Sequence, residues 1–214
     1  MKFYFLIIIL ISFSIQSLNA QGIKGGLAFG GNLSQVDGDE VFGYKKIGFN
    51  TSALALIEFN RKWSMSLEAN FNQKGAYQKY PYDYQGDTAI PYYNLRLNYA
   101  EVPVMMHFTD KGFLTFGLGL SWARLVGVNE IEWGKQTSVT LNSGEFEKNE
   151  LNGIVDLRVP IVKGLHFNFR FSYSLIPIRE RTYTDILGDS WTRKQYNNVL
   201  TLRLIYIFNQ APRS

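Results

Sequence analysis

L-H-F-N-F-R-F-S-Y-S-L-I, residues 165–176, alternates with a period of two. Leu165, Phe167, Phe169, Phe171, Tyr173 and Leu175 fall on one side of an extended chain. His166, Asn168, Arg170, Ser172 and Ser174 fall on the other. A helix would scatter both sets around its circumference, so the segment reads as a strand. Its apolar side is aromatic and leucine-rich, and soluble surfaces rarely leave such a patch uncovered. That side is therefore assigned to lipid, and the polar side to the interior of a closed barrel.

The pattern recurs outward in both directions. Downstream, Gln195 to Phe208 places Tyr196, Leu200, Leu202, Leu204, Tyr206 and Phe208 on one face, with Val199, Ile205 and Ile207 as apolar exceptions on the other. Upstream, Val155, Leu157, Val159 and Ile161 oppose Asp156 and Arg158. Leu114, Phe116, Leu118, Leu120 and Trp122 oppose a small and polar set. Trp63, Met65, Leu67, Ala69 and Phe71 oppose Ser64, Ser66, Glu68, Asn70 and Asn72. Two further strands are read from Gly22 to Leu33 and from Ile47 to Phe59. In the remaining strand the phase changes. Leu95, Leu97 and Tyr99 are apolar on odd numbers, then Val102, Val104, Met106 and Phe108 on even ones. A β-bulge near Ala100–Glu101 would reconcile them, leaving Arg96 on the polar face.

The connections alternate: a long one from Ser34 to Lys46, a tight one at Asn60–Lys62, a Tyr-rich one from Gly75 to Tyr93 and a turn at Thr109–Gly112. A long one from Arg124 to Glu150, a turn at Val162–Gly164 and a charged loop from Pro177 to Lys194 complete the series. The expected fold is all-β, an eight-stranded antiparallel up-and-down transmembrane β-barrel, with long loops outside and short turns and both termini periplasmic. The rival is a soluble lipocalin-like barrel, in which the apolar residues would line a calyx for a hydrophobic ligand.

Residues 1–20 read as a secretory signal peptide: Lys2, an apolar run from Phe3, and Leu18-Asn19-Ala20 before the cut. The barrel is assigned to residues 21–208 and a short tail to 209–214. The chain has no cysteine, so neither a lipoprotein anchor nor a disulfide framework is available. The formal charge of +4 falls by one with Lys2, to about +3, and is not clustered into a nucleic-acid patch.

An eight-stranded barrel has room inside for side chains rather than for a wide channel. The polar faces send Glu58, Glu68, Arg96, Glu101, Asp156, Arg158, Arg170 and Arg203 inward, with Lys24 and Lys74. Buried charges require partners, so a filled core of Arg–carboxylate pairs is expected and a general diffusion pore is not. Leu202, Leu204, Tyr206 and Phe208 form the alternating, aromatic-terminated pattern of an assembly signal read by the outer-membrane barrel assembly machinery.

G-I-K-G-G-L-A-F-G-G-N at 22–32, S-L-E-A-N-F-N-Q-K-G-A at 66–76 and L-N-Y-A-E-V-P-V-M-M-H-F at 97–108, followed by F-G-L-G-L-S at 116–121, resemble the PorT-like outer-membrane β-barrel family of Bacteroidetes. The most specific piece is Leu97 to Pro103, close to the family's L-x-Y-x-E-[IV]-P pattern. The resemblance covers essentially the whole mature chain. It implies a barrel in outer-membrane lipid, envelope protein partners, and a transport- or secretion-associated role only weakly.

Chemistry is thinly signalled. A lipid-modifying enzyme is the functional alternative, and the two histidines, His107 and His166, are its obvious candidates. Both adjoin short turns, the end away from outer-leaflet lipid, so they read as rim residues in hydrogen-bonded networks. Tyr77, Tyr80, Tyr82, Tyr84, Tyr92 and Tyr93 read as an interfacial girdle before a binding patch. Asp37, Asp39 and Glu40 lack the spacing of a calcium loop. No catalytic, cofactor or metal residue is assigned.

Overall fold

The computed structural model describes residues 23–79, 92–185 and 187–208. Residues 1–20, expected from the sequence to be a signal peptide, the expected tail at 209–214, and Tyr80, Tyr82 and Tyr84 lie outside them. The elements are β1 (Ile23–Asp37), β2 (Lys46–Glu58), β3 (Trp63–Lys79), β4 (Tyr92–Asp110), β5 (Leu114–Glu132), β6 (Lys135–Gln136), β7 (Asn149–Val162), β8 (Leu165–Ser174), β9 (Arg179–Thr184) and β10 (Ser190–Ile207). Eight of them pair as β1-β2-β3-β4-β5-β7-β8-β10, and β10 returns to β1, which closes the ring. Every pairing is antiparallel. The two short strands lie beyond the ring: β6 folds back on β5, and β9 forms a hairpin with the first third of β10, Ser190 to Gln195.

Orientation of the faces separates the two barrel readings. Leu27, Phe29, Phe49, Leu67, Val104, Leu118, Leu120, Trp122, Phe169 and Leu204 are exposed on the outside. Asn32, Ser52, Glu68, Asn70, Asp156, Asn168, Arg170 and Arg203 are buried inside. This is the reverse of a calyx. The outer face carries aromatic pairs towards both limits of the apolar band. Trp63 and Phe108 lie 5.1 Å apart by ring centroid near the short turns, and Phe49 and Phe71 lie 5.3 Å apart near the long loops. From Trp63 to Phe71 the strand rises about 26 Å at 3.3 Å per residue, the height of a lipid-facing apolar band before tilt is taken into account.

The strands run well past that band. β3 has 17 residues, and β4 and β5 have 19 each, against about 9–11 needed to cross a bilayer. The excess is all at the loop end, and there the meaning of the alternation inverts. Leu95, Leu97 and Tyr99 are fully buried inside, while Arg96 is exposed on the outer face. The phase change expected in β4 is therefore absent. Its faces alternate without a slip from Tyr93 to His107, and what changes is the medium outside. The irregularity lies on the neighbour: Asn98 pairs Gly127 and Tyr99 pairs Leu125, so Val126 of β5 is the extra residue. The β3–β4 ladder lapses between the pairs Leu67–Val104 and Asn70–Glu101, where Pro103 has no N–H to give.

The extensions end in a cap. Val36, Tyr93, Leu95, Leu97, Tyr99, Leu125, Val139, Phe146 and Ile178 form one apolar core above the polar lumen. Ser34 to Asp37, read from the sequence as loop, is part of β1 and contributes Val36 to it. Tyr93 departs from the girdle reading. It is buried in that core, and its hydroxyl donates to Glu130 Oε1 at 2.9 Å. Among the described girdle candidates, Tyr77 and Tyr92 pack against each other at 6.3 Å. At the turn end Ala28, Leu54, Leu56, Ile205 and Ile207 form a second, smaller apolar cluster inside. It accounts for Ile205 and Ile207 among the apolar exceptions of β10, and with them the inward Leu54 and Leu56 of β2 plug the barrel.

Candidate functional site

Between the two apolar plugs lies a charged layer, carried by inward positions of β3, β4, β7, β8 and β10. Glu68 is its centre. Arg170 donates to it twice, at 2.8 and 3.1 Å, and Arg203 twice, at 2.9 and 3.0 Å. Arg170 also reaches Asp156 Oδ2 at 2.8 Å, and Arg203 Nε donates to Asn168 at 2.7 Å. Arg guanidinium forks match carboxylates in this two-pronged way, and it fixes both partners. One step towards the loops, Lys74 bridges Glu101 at 2.5 Å and Glu150 at 3.0 Å. Its ammonium lies 4.8 Å from the centroid of the Tyr99 ring. Asn70 and Asn72 donate to Glu101, and Asn197 and Ser174 donate to Glu150.

The layer balances. Glu68, Glu101, Glu150 and Asp156 face Lys74, Arg158, Arg170 and Arg203, and all eight are buried. Of the sequence-predicted interior residues, Glu68, Glu101, Asp156, Arg158, Arg170 and Arg203 lie inside. Arg158 is less well served than the others, since its Nε and Nη2 have no hydrogen-bond partner among the described residues. Two predicted residues are elsewhere. Glu58 is exposed at the turn rim, where it pairs Lys24 at 2.7 Å. Arg96 is outside because its part of β4 has left the lipid. Lys74 and Glu150 carry a second centre that sequence reasoning underrated. Glu150 falls at the end of a segment read as loop, although it opens an alternating polar series continued by Asn152.

Leu202, Leu204 and Tyr206, which the sequence suggests as an assembly signal, point outward from the last strand. Phe208 follows it, its N–H donating to Gly25 O at 2.8 Å. Tyr206 and Phe208 meet edge to face at 5.5 Å.

The histidines are buried rather than at an open rim. His107 Nε2 is 2.8 Å from Ser66 Oγ, and its Nδ1 is 3.7 Å from Asp156 Oδ1. The order Ser–His–Asp resembles a nucleophilic triad. Three features count against that use. The His–Asp separation exceeds a hydrogen bond, Asp156 is held by Arg170, and Ser66, His107 and Asp156 are each 1% exposed or less. Replacing Ser66 with Ala is expected to leave phospholipid hydrolysis at background. A Ser66-dependent fatty-acid release from vesicles would refute that reading. Among the described residues no group of three or more His, Cys, Asp or Glu could hold a metal.

Comparison with known proteins agrees with this architecture. The family model described as "Outer membrane protein beta-barrel domain" matches residues 16–180. The chain belongs to this family. The matched range stops short of β10, whose pairing with β1 shows that the last strand is part of the same barrel. Among solved structures, this outer-membrane barrel is similar to Ail, the attachment invasion locus protein of Yersinia pestis. The identity is 16%, with 87% of this chain and 99% of that chain covered and a TM-score of 0.50. It is also similar to Neisserial surface protein A, at 10% identity, 87% and 99% coverage and a TM-score of 0.51. At these identities the likeness is one of fold. No curated protein matches.

Proposed function

We propose that this outer-membrane barrel is a closed, non-enzymatic scaffold that presents its loop end or its turn rim to envelope partners. The observation that carries this reading is the filled interior: an apolar plug at the turn end, a balanced charged layer, and an apolar core under the loops. A permeant solute would have to displace buried, paired charges, which is costly. A transport- or secretion-associated role fits as participation in a larger assembly, in keeping with the resemblance to the PorT-like barrels of Bacteroidetes. The proposed maturation removes residues 1–20 and leaves both termini in the periplasm. Assembly then proceeds through recognition of Leu202, Leu204, Tyr206 and Phe208 by the barrel assembly machinery.

Purified protein in planar bilayers is expected to give no single-channel steps above the leak of protein-free membranes. Regular steps would overturn the closed-scaffold reading. Outer-membrane recovery with a gel band that shifts on boiling tests the location independently.

A further inference from the structure

The cap contains a feature that the closed-scaffold reading does not use. A cleft of about 310 Å³ opens at the loop end, lined by Asp39, Glu40, Val41, Gln78, Tyr93, Glu132, Trp133, Arg181 and Tyr183. That volume is at the lower end of the range for small-molecule sites. Its residues come from the 38–45 loop, β3, β4, β5, the turn after it, and β9. The barrel therefore brings together segments far apart in sequence.

The charges in the cleft are unequally satisfied. Arg181 is engaged: it pairs Glu132 at 2.5 Å, lies 3.9 Å from Glu130, and has its guanidinium 5.3 Å from the centroid of the Tyr183 ring. Asp39 is not. It is only 7% exposed, its Oδ1 accepts the Val41 N–H at 2.8 Å, and its Oδ2 is buried with no hydrogen-bond partner among the described residues. A buried carboxylate oxygen left in that state is costly. Glu40 stands beside it with its backbone at φ 67°, in the left-handed region. One guanidinium therefore faces three carboxylates and is spent on the one farthest along the sequence from Asp39. Aromatic side chains line the same space, and ring faces attract cations.

We propose that this cleft binds an organic ammonium ligand, its charged nitrogen received by Asp39 Oδ2 and Glu40 and its carbon body by Tyr93 and Trp133. A neutral sugar would leave the excess negative charge uncompensated. A bare divalent ion would find too few ligands, since no suitable cluster exists among the described residues.

The pH dependence has a definite sign. Burial pushes the Asp39 carboxyl up to about 7, with Asp37 adding to the rise while the Val41 N–H and Arg181 oppose it. The titratable groups around it are Asp37 and Glu40 from its own segment, Tyr93 from β4, Glu132 from β5, and Arg181 and Tyr183 from β9. Neutral Asp39 receives a cation poorly and ionised Asp39 receives it well. Affinity for an ammonium thus rises with pH through about 7, where alkyl ammonium groups keep their charge.

The test is titration calorimetry of the folded full barrel in detergent with spermidine, with maltose and calcium chloride as alternative probes. Spermidine is expected to bind saturably, and the affinity to fall about tenfold or more in Asp39→Asn and severalfold in Glu40→Gln. Asp110→Asn, at the exposed turn end, is expected to change nothing. Asn retains an acceptor for the Val41 N–H, and the boiling-dependent gel shift verifies that each variant is folded. If Asp39→Asn does not fold, exposed Glu40→Gln and the pH series carry the same decision. The proposal is overturned by any of three results: no spermidine binding up to about 10 mM, equal loss in Asp110→Asn, or binding of maltose or calcium in place of spermidine.

Discussion

Glu68→Gln is expected to unfold at a much lower urea concentration than the parent barrel, with a loss of about 3–5 kcal/mol. The carboxylate accepts four N–H groups from Arg170 and Arg203 at 2.8 to 3.1 Å. Glutamine retains the shape but removes the charge and turns one acceptor into a donor. Arg170 would keep Asp156; Arg203, fully buried, would keep only neutral partners, Asn168 and Ser52. The cost is that of an unpaired guanidinium in a dry lumen, and it exceeds what the intact pair contributes. The double variant Glu68→Gln, Arg203→Met separates these quantities, because it removes the stranded charge together with its cause. It is expected to recover most of the loss. Urea titration in lipid vesicles, followed by the gel shift, reads both. A Glu68→Gln barrel as stable as the parent would show that the layer is hydrated and weakly coupled.

The polar layer was legible because each strand crossing lipid writes the same code: bulky apolar outward, polar inward. Glu68, Arg170 and Arg203 share that code, and their inward placement follows from alternation alone. The code inverts where the strands leave the bilayer. Past Phe71 and Tyr99 the outside is water and the inside is capped by loops, so apolar residues turn inward. Arg96 sits in that zone, and the same alternation that places Glu68 correctly sends Arg96 to the wrong face. Glu58 fails at the other end, since a charge on the inward phase at a strand's last residue can reach solvent and pair with Lys24. Strand lengths of 17 to 19 residues mark the inversion, but a sequence of mixed polarity hides them as loop. The cleft was not legible at all. Asp39 and Glu40 lie in a connection whose sequence lacks the spacing of a calcium loop, and Arg181 and Trp133 come from segments that only barrel closure brings near them.

The glycines of the first strand point to the other large effect. Gly30 faces the β1–β10 seam, opposite Arg203. A Cβ built there would stand 2.1 Å from Leu202 O and 2.4 Å from Arg203 Cβ. Backbone and Cβ positions cannot swing away as a side-chain tip can, so the seam would have to open. The neighbouring Gly31 is outward and open: a Cβ there meets only Gly48 O, at an ordinary 3.8 Å. Gly30→Ala is thus expected to destabilise the barrel by about 3 kcal/mol, the upper part of the range for overpacking. Gly31→Ala is expected to be neutral or stabilising by a few tenths, because alanine restricts the unfolded chain. Both substitutions add the same methyl group to adjacent residues, so strand propensity cancels between them and only the seam differs. Disruption there also displaces Arg203 from Glu68, which couples closure of the ring to the charged layer. In refolding from urea into vesicles, Gly30→Ala should yield little of the unboiled, fast-migrating species while Gly31→Ala yields the parent's amount. Equal yields would mean that β1 and β10 do not approach as closely as the barrel's closure requires.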